Sequence, residues 1–162
     1  MQISTEMQAK LNEQIKVEFD AAHTYLAMSV ALGDMGLKAL DGLFIKQAAE
    51  ERDHALKIVK YLGRVGGRAR LAGVDEPKAE YASAEAVVQA ALDSEQNVTQ
   101  CINGLMDQAE QENDHATQSF LQWFVDEQVE EVESMRELLE LIQMAGPNQT
   151  LLVEHIVAQR GD

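Results

Sequence analysis

The stretch QAAEERDHALKIVKYL, residues 47–62, decides the fold. It is built from Ala, Leu, Glu, Gln and Lys, residues that lose little on entering a helix. Its apolar positions recur at spacings of three and four. Extended in both directions, the stripe reads Leu40, Phe44, Gln47, Glu51, His54, Ile58, Tyr61 and Val65. That periodicity marks the core-facing side of a bundle helix. Glu51 and His54 nevertheless occupy positions where aliphatic side chains are expected. They stand three residues apart, so both leave the helix on the same side.

Three more segments repeat the pattern. Their stripes are Leu11, Ile15, Glu18, Ala22, Tyr25, Ser29; then Val88, Leu92, Glu95, Val98, Ile102, Leu105; then Leu121, Phe124, Gln128, Glu131, Met135, Leu138, Ile142. Glycine clusters and the prolines Pro77 and Pro147 separate them. Alternation of the strand kind is absent, so the chain reads as all-α. Helices are predicted over 5–33, 38–65, 83–112 and 114–144, with a short tail helix over 149–159. Thr5 is the expected first N-cap, completed by Gln8 in a capping box; Ser83 and Asp114 cap the third and fourth helices. Joints near 34–37 and at 113 are short and imply antiparallel neighbours. The connection GGRARLAGVDEPKAEYA, 66–82, is long enough to return along the bundle. The expected architecture is a four-helix bundle with one long crossover and a short C-terminal fifth helix, one domain over 1–162.

Each stripe is broken by a glutamate near mid-helix. Glu18, Glu51, Glu95 and Glu131 lie within about 3 Å of their helix midpoints at 1.5 Å per residue. Midpoints coincide whichever way helices run, so the four carboxylates converge inside the bundle. Left uncompensated, each would cost several kcal/mol. No Lys or Arg occupies the stripes, so neutralisation falls to protons or a metal. Oxygen ligands with one imidazole suit iron or manganese. Glutamates from two helices joined to a Glu-x-x-His pair form the diiron-carboxylate pattern.

Composition sets the outer limits. The chain has 28 acidic and 13 basic residues, a net charge of −15. Such a surface repels nucleic acid and anionic membranes and attracts cations. The single cysteine, Cys101, excludes an internal disulfide and a cysteine-built zinc site; it reads as a reduced thiol packed on a helix. The opening MQISTEMQAKLNEQ lacks the features of a signal peptide, and no apolar run approaches a bilayer span, so a cytoplasmic setting is expected.

The segments LNEQIKVEFDAAHTYLAMS, QAAEERDHALKIVKYL and FLQWFVDEQVEEVE, with their spacing, resemble the bacterial non-haem ferritins over nearly the whole chain. The resemblance implies a first iron site at Glu18, Glu51 and His54. A second is implied at Glu51, Glu95 and Glu131, with Glu51 bridging and Gln128 alongside. Glu50, Glu127, Glu130 and Glu131 are similar to a third, adjoining site. Tyr25 matches the tyrosine near the diiron centre, and Trp123 the aromatic beside it, with packing in the core its expected role. Bacterioferritins carry a second Glu-x-x-His where this chain has Gln128 and Glu131. Their haem methionine falls where Arg52 stands, so no haem is expected. The absence of cysteine pairs argues against a rubrerythrin.

The function so implied is a ferroxidase and iron store. Fe2+ is oxidised by O2 or H2O2, and ferric mineral is kept within a homo-oligomeric shell of twenty-four subunits. A rubrerythrin-like peroxidase and a non-catalytic metal-binding bundle are the alternatives. His23, His115 and His155 are expected in solvated or structural roles. Met7, Met28, Met35, Met106 and Met144 are expected to pack, and the tail-helix side formed by Gln149, Leu152, Val153, Ile156 and Val157 is expected to need a partner. The acidic stretch Asp107, Glu110, Glu112 and Asp114 reads as a solvated helix end or an ion entry route.

Overall fold

The computed structural model describes residues 3–160. Its elements are α1 (Thr5–Asp34), α2 (Lys38–Arg64), α3 (Ala84–Gln111), α4 (His115–Ala145) and α5 (Thr150–Arg160). Ser83 and Asp114 cap α3 and α4 through their side chains as expected. The start of α1 differs. Ser4, not Thr5, is the N-cap, and its Oγ accepts from the Met7 amide at 3.0 Å. Ser4 also donates to Glu112 at the far end of α3, a partner that no local pattern reveals. Gln8 closes no capping box; its Oε1 accepts from the Arg68 amide in the crossover.

Contacts between helix ends fix the directions. The Ile3 amide meets the Val65 carbonyl, and Ser4 meets Glu112, so α1 runs antiparallel to both α2 and α3. Tyr61 meets Thr117 and Gln47 meets Glu131, so α4 runs antiparallel to α2. Helices α2 and α3 are therefore parallel, joined by the crossover. That segment is strung along α1 by a polar row at i, i+4 spacing. Gln8 and Asn12 hold Arg68 and Arg70, while Asp20 accepts from the Asp75 amide and Lys16 pairs with Asp75.

The apolar interior is divided in two. One half gathers Tyr25, Met28, Leu32, Leu40, Phe44, Val88 and Met135; the other holds Met7, Leu11, Ile15, Ile58, Ile102, Leu121 and Phe124. The glutamates lie between them in sequence on every helix. Met7 and Met28 pack as expected, whereas Met35 and Met144 are exposed near helix ends.

Helix α5 folds back on its own bundle against α2 and α4. Val153 and Val157 enter the first apolar half, so that part of its apolar side finds a partner within the chain. Leu151 and Leu152 stay exposed. Glu154 does more. The N-cap residue of α2, Leu37, offers no capping side chain, and the Glu154 carboxylate accepts from the Ala39 and Leu40 amides instead. A carboxylate there also complements the positive end of the α2 dipole. No helix among the described residues is long and apolar enough to cross a membrane.

Candidate metal centre

The four helices bring Glu18, Glu51, Glu95, Glu131 and His54 into the interior, all buried. Glu18, Glu51 and His54 each offer a ligand atom within 4.8 Å of the others. His54 Nδ1 lies 3.5 Å from Glu51 Oε2 and 3.9 Å from Glu18 Oε2. A second group within the same limit joins His54, Glu127 and Glu131. Glu95 stands outside both groups and is held by the Tyr25 hydroxyl, which donates to its Oε1. Gln128 is buried beside it and accepts from Thr99 at 2.9 Å. Glu50 and Glu130 are exposed and join neither group, although Glu50 feels the charge of Glu127.

Electrostatics follow from burial. Desolvation, then the facing Glu51 charge, pushes the Glu18 carboxyl well above its usual range. Desolvation and Glu95 do the same to Glu51. Burial raises Glu95, opposed by hydrogen bonds from Tyr25 and Gln128. Glu131 is pushed up to about 7, by burial first and Glu95 second. Tyr25 is also driven well above its ordinary value by burial and Glu95, so it remains a neutral donor. Protons thus occupy part of the cluster near neutrality in the metal-free protein.

Among the described residues, five buried side-chain atoms still lack a hydrogen-bond partner: Glu18 Oε2, both Glu51 oxygens, His54 Nδ1 and Glu95 Oε2. Buried polar atoms are ordinarily paired. Their convergence on one layer, from three carboxylates and an imidazole, fits the donor set of a hard or borderline divalent cation.

The sequence left three supporting residues unassigned. Gln14 donates to Glu18 at 2.9 Å, and Gln47 donates to Glu131 at 2.6 Å. Thr99 is the third, placed between Gln128 and the Glu95 carbonyl. Gln47 stood on the quoted stripe, and a buried amide one turn from a buried acid was the available signal. Trp123 departs from its expected place in the core. It is 36% exposed, set edge-on to His54 with ring centroids 5.4 Å apart, and the Lys57 ammonium covers its face. His23, His115 and His155 are exposed, Cys101 is half-buried, and in the acidic stretch Glu112 and Asp114 are engaged by Ser4 and Thr117.

Comparison with known proteins places this geometry in context. A family described as a ferritin-like domain matches residues 8–145. A bacterial non-heme ferritin of Staphylococcus saprophyticus is 40% identical over 129 residues, covering 80% of this chain and 77% of its own length. The bacterial non-heme ferritin of Staphylococcus haemolyticus is 34% identical over 160 residues, 98% of this chain and 96% of its own. The crystal structure of an open pore ferritin from the archaeon Archaeoglobus fulgidus superposes with a TM-score of 0.94 at 36% identity, covering 97% of this chain and 98% of the other.

Proposed function

The chain belongs to the ferritin family, and from that premise we propose that it oxidises Fe2+ at the buried carboxylate centre and stores the ferric product inside a homo-oligomeric, cytoplasmic shell of twenty-four subunits, each a single domain. The observation that carries this reading is the set of unpartnered buried atoms on Glu18, Glu51, His54 and Glu95. No Lys or Arg among the described residues forms a salt bridge with those acids or with Glu131, so protons or cations must balance them.

In the proposed scheme Glu18, Glu51 and His54 bind one Fe2+, and Glu51, Glu95 and Glu131 bind the second, with Gln128 beside it. Four carboxylates then balance two divalent ions. Binding displaces the protons that burial retains on Glu18, Glu51 and Glu131. Two Fe2+ give one electron each to O2, which takes two protons and leaves as H2O2; H2O2 as oxidant accepts the same two electrons and two protons and yields two waters. The two Fe3+ carry six positive charges against four carboxylates, which leaves two charges for anions from solvent to balance. Glu127, Glu130 and Glu50, with Glu131, offer the adjoining acidic path on α2 and α4. Tyr25 holds Glu95, and Gln14 and Gln47 orient Glu18 and Glu131. The Arg52 side chain pairs with Asp53 at 2.8 Å, and no haem enters the scheme.

Adding two Fe2+ per subunit to metal-free protein in air, and following ferric absorbance by stopped flow, tests the oxidation. A burst faster than protein-free buffer is expected. Further iron should elute with the protein on a sizing column. A protein that binds Fe2+ without faster oxidation would be a metal-binding bundle. One that oxidises iron but retains no mineral would match the peroxidase-type alternative.

A further inference from the structure

The centre has a second face. Between α3 and α4 lies a pocket of about 460 Å³ whose walls include Ile102, Val125, Val129 and Val132 and whose lining also contains Thr99 and Gln128. Gln128 is buried, and Thr99 Oγ1 lies 2.9 Å from its Oε1 and 2.8 Å from the Glu95 carbonyl. One amide side chain therefore separates this pocket from Glu95, whose Oε2 is among the unpartnered buried oxygens. Glu133 and Arg136 on the same lining carry opposite charges, so the opening favours neither cations nor anions. This contrasts with the acidic side, where Glu127, Glu130 and Glu50 draw cations.

We propose that the α3–α4 pocket is the binding site and entry point for dioxygen, separate from the acidic route taken by Fe2+. The proposal rests on the ferroxidase reading above. A neutral, apolar diatomic gains nothing from a field of carboxylates. It gains instead from the wall that Ile102, Val125, Val129 and Val132 give this open groove, beside the uncharged Thr99, Asn103 and Gln128. Hydrogen peroxide, with two hydroxyls to solvate, gains little from such walls and is suited to the wet acidic side. Gln128 then acts as a positioning residue. Its carbonyl end is tied to Thr99 on the pocket side, which leaves its amide end to hold Glu95 in place.

Val129 is the handle for a test, because it is 64% exposed and a larger side chain there does not disturb the core. A helical side chain covers the surface one turn toward the N-terminus, so Val129→Trp leans over Val125 and closes the pocket. Crystals of the metal-free protein pressurised with xenon should show density between α3 and α4, lost in Val129→Trp. In solution Val129→Trp should lower the oxygen-driven rate about fivefold or more relative to the peroxide-driven rate, with the loss recovered at high oxygen concentration as a KM effect. Val129→Ala, which opens the pocket, should shift that ratio the other way. Anaerobic Fe2+ titration by calorimetry should give the same affinity in all three proteins. Absence of xenon from the pocket, or equal slowing with both oxidants, overturns the proposal. If wild-type protein oxidises Fe2+ with neither oxidant, the ferroxidase reading fails instead, and the xenon experiment still reports on the pocket.

Discussion

Glu51 is the residue whose placement works hardest against stability. It is fully buried, neither of its oxygens has a partner, and burial with the Glu95 charge raises its carboxyl. Glu51→Gln should therefore stabilise the metal-free protein, by about 1–3 kcal/mol in urea titration, while abolishing the fast phase of Fe2+ oxidation. Wild-type kinetics in that variant would remove Glu51 from the centre. The pH dependence follows from the same group of acids. Glu131 rises from an ordinary 4.5 to about 7 on folding, and Glu18 and Glu51 also move upward. A raised carboxyl means that the folded state binds more protons than the unfolded one, so stability declines as pH rises. The metal-free protein should lose stability from about pH 4.5 through 7 and above, with Glu131 accounting for at most roughly 3 kcal/mol of it. Bound divalent metal should reverse the loss, and a flat or rising profile without metal would contradict the assignment. The acids themselves were legible because charge on an apolar stripe is conspicuous. Thr99 was not, since a hydroxyl just off the stripe looks like an ordinary helix-surface residue. Nor was the exposure of Trp123, which depends on how closely its neighbours pack.

At the scale of the element, helix bounds were readable to within a residue or two from glycine punctuation and cap residues. The start of α1 was not, because adjacent Ser4 and Thr5 can both cap a helix and the choice falls to Ser4, whose hydroxyl also reaches Glu112. The start of α2 was illegible for a stronger reason: its cap lies more than a hundred residues away on α5. Glu154→Ala should cost about 1 kcal/mol, the usual value of a lost N-cap. It should also speed amide exchange at Ala39 and Leu40 while leaving the amides at the α4 start, capped by Asp114, unchanged. Equal exchange at Ala39 and Leu40 in both proteins would show that water satisfies those groups equally well.

For the whole molecule, a charge of −15 per chain concentrates cations around any assembly built from it. Oligomerisation is not legible in the stripes, which describe only how one bundle closes. The surface adds a hint in Leu151, 75% exposed, beside Leu152 on α5. Truncating 147–162 should weaken the proposed shell, but it also removes Val153, Val157 and the Glu154 cap. A cleaner test is Leu151→Asp with Leu152→Asp, which leaves Val153, Val157 and the Glu154 cap in place. Sedimentation at physiological salt should show a large closed assembly for the wild type and smaller species for the double variant. A monomeric or dimeric wild type would defeat the shell.

The long-range cap of α2 also imposes an order on biosynthesis. Glu154 leaves the ribosome 115 residues after Ala39. At about 5–20 residues per second, that is a delay of roughly 6–23 s. Through that interval a nascent α1–α2 hairpin has its second helix start held only by water. A chain released before α5 emerges keeps that frayed turn, along with the apolar surface that Val153 and Val157 would cover. Proteases and chaperones are therefore offered a mark of incompleteness that disappears when the last helix docks.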